Sequence, residues 1–179
     1  KRGTKITFKP DSEVFEVTEM KFDILSQRLR ELAFLNRGIS IYIREEATEK
    51  EHTFKYEGGI VSFVEHLVAN KQPLHETPIF LQGHKEGIEC EIAMQWSTAY
   101  NETIFTFANN INTHHGGTHL SGYKAALTRT LNTWAAKQGL FKKVKENLSG
   151  EDIREGSTCI ISVKIPDPQF EGQTKQKLG

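Results

Sequence analysis

Apolar positions recur along the chain in two rhythms, one of two residues and one near 3.6, with short polar punctuation between them. Ile6 and Phe8 alternate with polar neighbours and stop at Pro10-Asp11, the pattern of a short strand and its end. Phe22, Leu25, Leu29 and Leu32 recur at helical spacing, and Asn36-Arg37-Gly38 closes that helix with a glycine suited to left-handed dihedrals. Ile39, Ile41 and Ile43 alternate as a strand. The charged run from Glu45 to Glu51 then turns the chain into a second strand through Phe54 and Tyr56. Gly58-Gly59 opens a helix carrying Ile60, Phe63, Val64 and Leu67.

Three strands follow, around Ile79 to Gln82, Glu89 to Trp96 and Thr103 to Ala108, with Lys85-Glu86-Gly87 and Thr98 to Asn101 read as hairpin turns. After Gly116-Gly117 the spacing predicts the longest helix, with Leu120, Tyr123, Leu127, Leu131 and Trp134 on one stripe. Ser149 and Asp152 have the spacing of a capping box for a short helix ending at Gly156. Cys159 to Ile165 reads as a last strand, closed by Pro166 and Pro168. Strands and helices mix without strict alternation, so the expected class is α+β, a single sheet backed by helices.

The 179 residues suit one domain of ordinary size, and an absent initiator Met and an abrupt end suggest a piece of something longer. A compact fold of this length would expose about 8,800 Å² and bury about 70% of its unfolded surface. With 37% hydrophobic and 26% charged residues, disorder and collagen-like structure are excluded. No apolar run reaches membrane-spanning length, and Cys90 and Cys159 are too sparse for a disulfide framework, which points to a reducing cytoplasm.

A formal net charge of zero hides an uneven distribution. Residues 1–102 carry 13 basic and 17 acidic side chains, and residues 146–179 carry 4 and 6. Between Thr103 and Lys145 there is no Asp or Glu, while Lys124, Arg129, Lys137, Lys142, Lys143 and Lys145 are all positive. This basic island is either a solvated helix face neutralised from elsewhere in the fold or a phosphate-binding surface, and composition does not choose.

Gly117 and Gly122 stand five apart as in a P-loop, but Tyr123-Lys124 follows where Lys and a hydroxyl are required, so no phosphate cradle is expected there. His114, His115 and His119 lie close in sequence, yet no Cys or carboxylate near them completes a metal shell, and no metal site is expected. No nucleophile-elbow pattern is present. The tail from Phe170 to Lys175 follows two prolines without apolar periodicity. It is either a flexible loop or a reaching loop in which Gln173 offers an amide and Lys175 a point charge on a long stem.

Several ordered blocks sharpen this picture. They are Gly3-Thr4-Lys5-Ile6-Thr7-Phe8-Lys9-Pro10-Asp11, Leu29-Arg30-Glu31-Leu32-Ala33-Phe34-Leu35-Asn36, Tyr56-Glu57-Gly58-Gly59, Phe107-Ala108-Asn109-Asn110-Ile111, Gly116-Gly117-Thr118-His119, Ala126-Leu127-Thr128-Arg129, Asn147-Leu148-Ser149-Gly150-Glu151-Asp152 and Pro166-Asp167-Pro168-Gln169-Phe170 through Gln173-Thr174-Lys175. Together the chain resembles, over its whole length, the B subunits of the bacterial type IIA topoisomerases, DNA gyrase and topoisomerase IV.

The resemblance implies a transducer domain lying between a GHKL-type ATPase domain and a TOPRIM domain, with a ribosomal-protein-derived fold that contains a left-handed βαβ crossover. On that basis residues 1–11 are the last strand of the ATPase domain, 12–165 the transducer domain, and 166–179 the reaching loop and the start of the path to TOPRIM. The resemblance makes Gln173 and Lys175 ligands of the ATP γ-phosphate, Lys175 in a catalytic role, and Lys124, Arg129 and Lys137 DNA contacts. Lys124 stands where many relatives have Arg.

ATP and magnesium would be held mainly by the ATPase domain, with none bound by these residues alone. The implied partners are double-stranded DNA, a gyrase A-type subunit and a second B-type protomer, with no membrane. A middle domain of another GHKL machine, a mismatch-repair or chaperone ATPase, is the alternative within the architecture. An independent nucleic-acid-binding module is the alternative outside it.

Overall fold

The structure is a computed structural model that describes residues 2–143 and 147–179. Its first helix, α1 (Phe22–Leu35), carries a two-stranded antiparallel hairpin of β1 (Ser40–Glu45) and β2 (Lys50–Lys55). Then come α2 (Ile60–Val68), β3 (Ile79–Lys85), β4 (Ile88–Trp96), β5 (Thr103–Ala108) and β6 (Ile111–Asn112). The chain continues through α3 (Thr118–Lys137), a 3-10 turn at Leu140–Lys143, α4 (Gly150–Arg154) and β7 (Ser157–Lys164). The last cation of the basic island, Lys145, lies outside the described residues.

The expected single sheet is two sheets, the β1-β2 hairpin and a five-stranded sheet ordered β3-β4-β7-β5-β6. β7 enters between β4 and β5, antiparallel to the first and parallel to the second, so Thr98 to Asn101 is not a hairpin turn. The physical reason lies in β7 itself. Its first seven residues are all buried, as a strand covered on both faces requires, and such a strand takes the centre rather than an edge. The turn at Glu86-Gly87 is a hairpin as expected, with φ of 53° and 80°. Asn109-Asn110, with φ of 49° and 65°, makes a second one into β6 that the hydrophobic pattern did not announce.

Successive residues of the sheet point to opposite faces. Ala93, Phe107 and Ile160 pack with Phe34 and Leu35 of α1 and Ile60, Phe63, Val64 and Val68 of α2. Met94, Ala108, Cys159, Ile161 and Val163 pack on the other face with Tyr123, Leu120 and Leu127 of α3. Phe34 is the aromatic hub of the first core, stacked on Tyr56 at 3.7 Å and on Phe63 at 4.7 Å. The capping box forms as the sequence predicts: Ser149 Oγ accepts from the Asp152 N–H at 3.1 Å, and Asp152 accepts from the Ser149 N–H at 2.8 Å.

Two departures concern exposed apolar residues. Residues 2–20 contain neither helix nor strand, and Ile6 and Phe8 are 80% and 72% exposed, so the expected N-terminal strand has no pairing partner among the described residues. Val14, Phe15 and Val17 are exposed as well, which helps raise the accessible surface to 12,826 Å², well above the compact-domain expectation. The α3 stripe also divides. Leu120, Tyr123 and Leu127 reach the sheet, whereas Leu131 and Trp134 run past it into solvent.

Candidate nucleotide-reaching loop and basic helix face

The tail after β7 is a narrow hairpin docked on the start of α3, not a free end. Phe170 and Leu178 form an antiparallel bridge, flanked by hydrogen bonds from the Gly179 N–H to Gln169 O (2.8 Å) and from the Glu171 N–H to Lys177 O (3.0 Å). Lys177 and Glu171 close the neck with a 2.9 Å ion pair. On its outer side the returning strand runs parallel to residues 115–118. The His115 N–H donates to Gln176 O, the Leu178 N–H to Gly116 O and the Thr118 N–H to Leu178 O, at 2.9 to 3.2 Å. Thr118 Oγ1 adds a 2.8 Å bond to Gly179 O. Leu178, the one apolar residue between Glu171 and Gly179, is buried in the α3-side core, against which Phe170 also packs.

Gln173, Thr174 and Lys175 form the tip, all exposed. The Lys175 N–H donates to Gly172 O at 3.0 Å, and Lys175 has φ of 55°, a left-handed conformation uncommon for a side-chain-bearing residue. Its ammonium lies 6.0 Å from the Phe170 ring centroid, at the outer limit of a cation–π contact. The tip therefore leaves an amide and an ammonium exposed on a tethered neck. That suits recognition of an anion brought by another body.

The three predicted DNA-contacting residues are not equivalent. Lys124 Nζ bonds Glu102 at 2.7 Å, and Glu102 also accepts from Arg154 Nε, so one carboxylate from the entry to β5 joins α3 to α4. Burial opposes the Glu102 charge, but the bonds from Lys124 and Arg154 outweigh it and hold its pKa below the usual carboxylate range. Arg129 and Lys137 are exposed and line one groove of about 550 Å³ beside α3, with Asn132 and Asn147. Residue spacing alone could not reveal the Glu102 triad, because its members come from positions 102, 124 and 154.

The three histidines diverge. His114 and His115 are exposed, while His119 is half-buried with Nε2 3.0 Å from Thr113 Oγ1, and burial lowers its pKa. Among the described residues no three His, Cys, Asp or Glu side chains converge as a metal shell. No described helix is long and apolar enough to cross a membrane.

The chain is a mixed sheet with helices on both faces and a Gln-Thr-Lys hairpin docked on the start of its longest helix. The family profile described as DNA gyrase B matches residues 59–179, beginning where α2 begins. The B subunit of DNA gyrase from Myxococcus xanthus is 62% identical over all of this chain, and that from Halalkalibacterium halodurans 60% over 99% of it. The chain covers 22% and 28% of these two relatives, about a quarter of their length. The crystal structure of the 43K ATPase domain of Thermus thermophilus gyrase B, in complex with an aminocoumarin, superposes with a TM-score of 0.81 and 38% identity. It covers 96% of this chain and 46% of that one. The chain belongs to the DNA gyrase B family.

Proposed function

We propose that this chain is the transducer region of the B subunit of an ATP-dependent type IIA topoisomerase, coupling ATP binding and hydrolysis to closure of a DNA-capturing clamp. The observation that carries this reading is the exposed tip Gln173-Thr174-Lys175 on a hairpin pinned by the Phe170–Leu178 and Gly117–Leu178 bridges. Charge-assisted bonds from such a tip to a γ-phosphate, each about 1.5 to 3 kcal/mol, exist while that phosphate is attached and vanish on its release. Loss of those ties frees the two bodies to rotate, which converts nucleotide state into clamp position.

In this reading Gln173 donates its amide and Lys175 its ammonium to the γ-phosphate, while a preceding ATPase domain holds the rest of the nucleotide. Magnesium would be held with the nucleotide by that ATPase domain. Residues 1–11 would be the last strand of the ATPase domain, and the exposed alternation at Ile6 and Phe8 supports a strand that pairs elsewhere. The transducer would occupy 12–165 and the loop 166–179. The connection between the parallel strands β5 and β7, through α3 and α4, would be the left-handed βαβ crossover. Arg129 and Lys137 would contact duplex DNA, with a second B-type protomer and a gyrase A-type subunit as partners in the cytoplasm. Family membership leaves no place for a mismatch-repair or chaperone ATPase.

The test is a full-length gyrase B protein carrying Lys175→Ala, assayed for ATP turnover and ADP affinity. A large loss of the first with little change in the second supports the reading. Equal behaviour of variant and parent contradicts it.

A further inference from the structure

We propose that the Gly117–Leu178 bridge is the joint that fixes the loop to the long helix, and that Gly117 is a positioning residue for Lys175. The inference rests on the reading of the loop as the γ-phosphate ligand. Gly117 has φ of 141°, where side-chain-bearing residues are strained, and a Cβ there would stand 2.2 Å from Leu178 O and 2.7 Å from Leu178 N. Both obstacles are main chain of the loop's returning strand, so no rotamer change relieves them. Only an absent side chain lets the two strands meet.

The joint fixes a register as well as a contact. Leu178 bonds Gly116 through its N–H and Thr118 through its carbonyl, and its side chain is buried with Tyr123, Met94 and Cys159. Lys175 lies three residues before Leu178, and its N–H closes the tight turn at the tip by donating to Gly172 O at 3.0 Å. Little slack separates the buried anchor from the ammonium. A displaced Leu178 therefore displaces Lys175, and a misplacement of about 1 Å at a reacting group costs on the order of 100-fold in rate.

The same joint links the loop to the basic face. Arg129 lies eleven residues beyond Thr118, about 16 Å along α3 at 1.5 Å per residue. Loop and basic face thus sit on one rod, and a shift of α3 under a DNA load moves the loop only while the joint holds.

The experiment uses a full-length gyrase B protein with its A-type partner, ATP and linear duplex DNA, and compares Gly117→Ala, Leu178→Asn, Leu178→Met and Lys175→Ala. Gly117→Ala and Leu178→Asn are expected to lower ATP turnover at least about tenfold. ADP affinity should stay within about threefold, since ADP lacks the phosphate that Lys175 meets and is held by other contacts. Leu178→Met, which keeps an apolar anchor, should retain turnover. If Gly117→Ala does not fold, the two Leu178 variants decide the question. Loss of turnover in Lys175→Ala with full turnover in Gly117→Ala and Leu178→Asn overturns the joint and leaves the loop's role standing. Full turnover in Lys175→Ala overturns the loop's role itself. A parallel fall in ADP affinity in the Gly117 and Leu178 variants shows a general structural lesion and also overturns the joint.

Discussion

Lys124 spends its charge inside the molecule: its ammonium donates a 2.7 Å hydrogen bond to Glu102, which the Arg154 guanidinium also grips. The Arg154 side chain is only 11% exposed, so removing the shared carboxylate strands a largely buried cation. Glu102→Gln should lower unfolding stability at pH 7 by about 1 to 3 kcal/mol in urea titrations. The folded-state pKa of Glu102 is depressed, so its contribution is complete above the unfolded-state value and is lost as pH falls through the folded one. The gap between parent and variant should therefore close in acid. A gap that stays constant below the carboxylate range contradicts the triad.

The same pairing ranks the basic residues. Arg129 and Lys137 have no ion-pair partner among the described residues, whereas Lys124 must leave Glu102 to meet a phosphate. For DNA binding by a full-length gyrase B protein, Arg129→Ala and Lys137→Ala should each reduce the log–log salt slope by about 0.9. Lys124→Ala should change it less, and none of the three should alter sequence preference. Equal slope changes from all three would remove the distinction.

The divided apolar residues make a contrast in stability. Phe34, buried between Tyr56 and Phe63, should cost about 3 to 5 kcal/mol on truncation to Ala. Trp134, 55% exposed beyond the sheet, should cost within about 0.5 kcal/mol in this segment. Thermal or urea melts of both variants check it, and similar losses would place Trp134 in the core after all.

Much of the fold was legible because amphipathic periodicity and local punctuation are short-range. The end of α1 just before Asn36, the hairpin at Glu86-Gly87 and the Ser149 capping box follow from neighbours within four residues. Strand order was not legible: the insertion of β7 between β4 and β5 depends on which strand is buried on both faces, a property of the assembled sheet. For the same reason the tail had two readings. Its docking depends on one buried leucine, Leu178, meeting a glycine 61 positions earlier. The isolated apolar residue in a polar stretch was the available signal.

Thiol chemistry offers an independent check on the α3-side core. Cys159 is fully buried against Tyr123, and burial pushes its pKa up to about 12. Half-burial also raises that of Cys90, with the Glu91 charge as a lesser cause. At pH 8 the Cys159 thiol is not appreciably ionised, so iodoacetamide should label it only on unfolding, and should label Cys90 more slowly than an exposed free cysteine. Rapid native-state labelling of Cys159 would show that α3 does not cover that face.

The central claim is that Lys175 delivers a positive charge to the γ-phosphate, and steady-state ATP turnover of a full-length gyrase B protein tests it most directly. Lys175→Ala should reduce turnover at least tenfold, about 1.4 kcal/mol or more of transition-state stabilisation, with a much smaller change in ADP affinity. Gln173→Ala should act in the same direction but less, because it removes a neutral donor. Lys177→Ala breaks only the exposed ion pair to Glu171 at the loop's neck and should be near neutral. Equal small effects from all three substitutions would contradict the account.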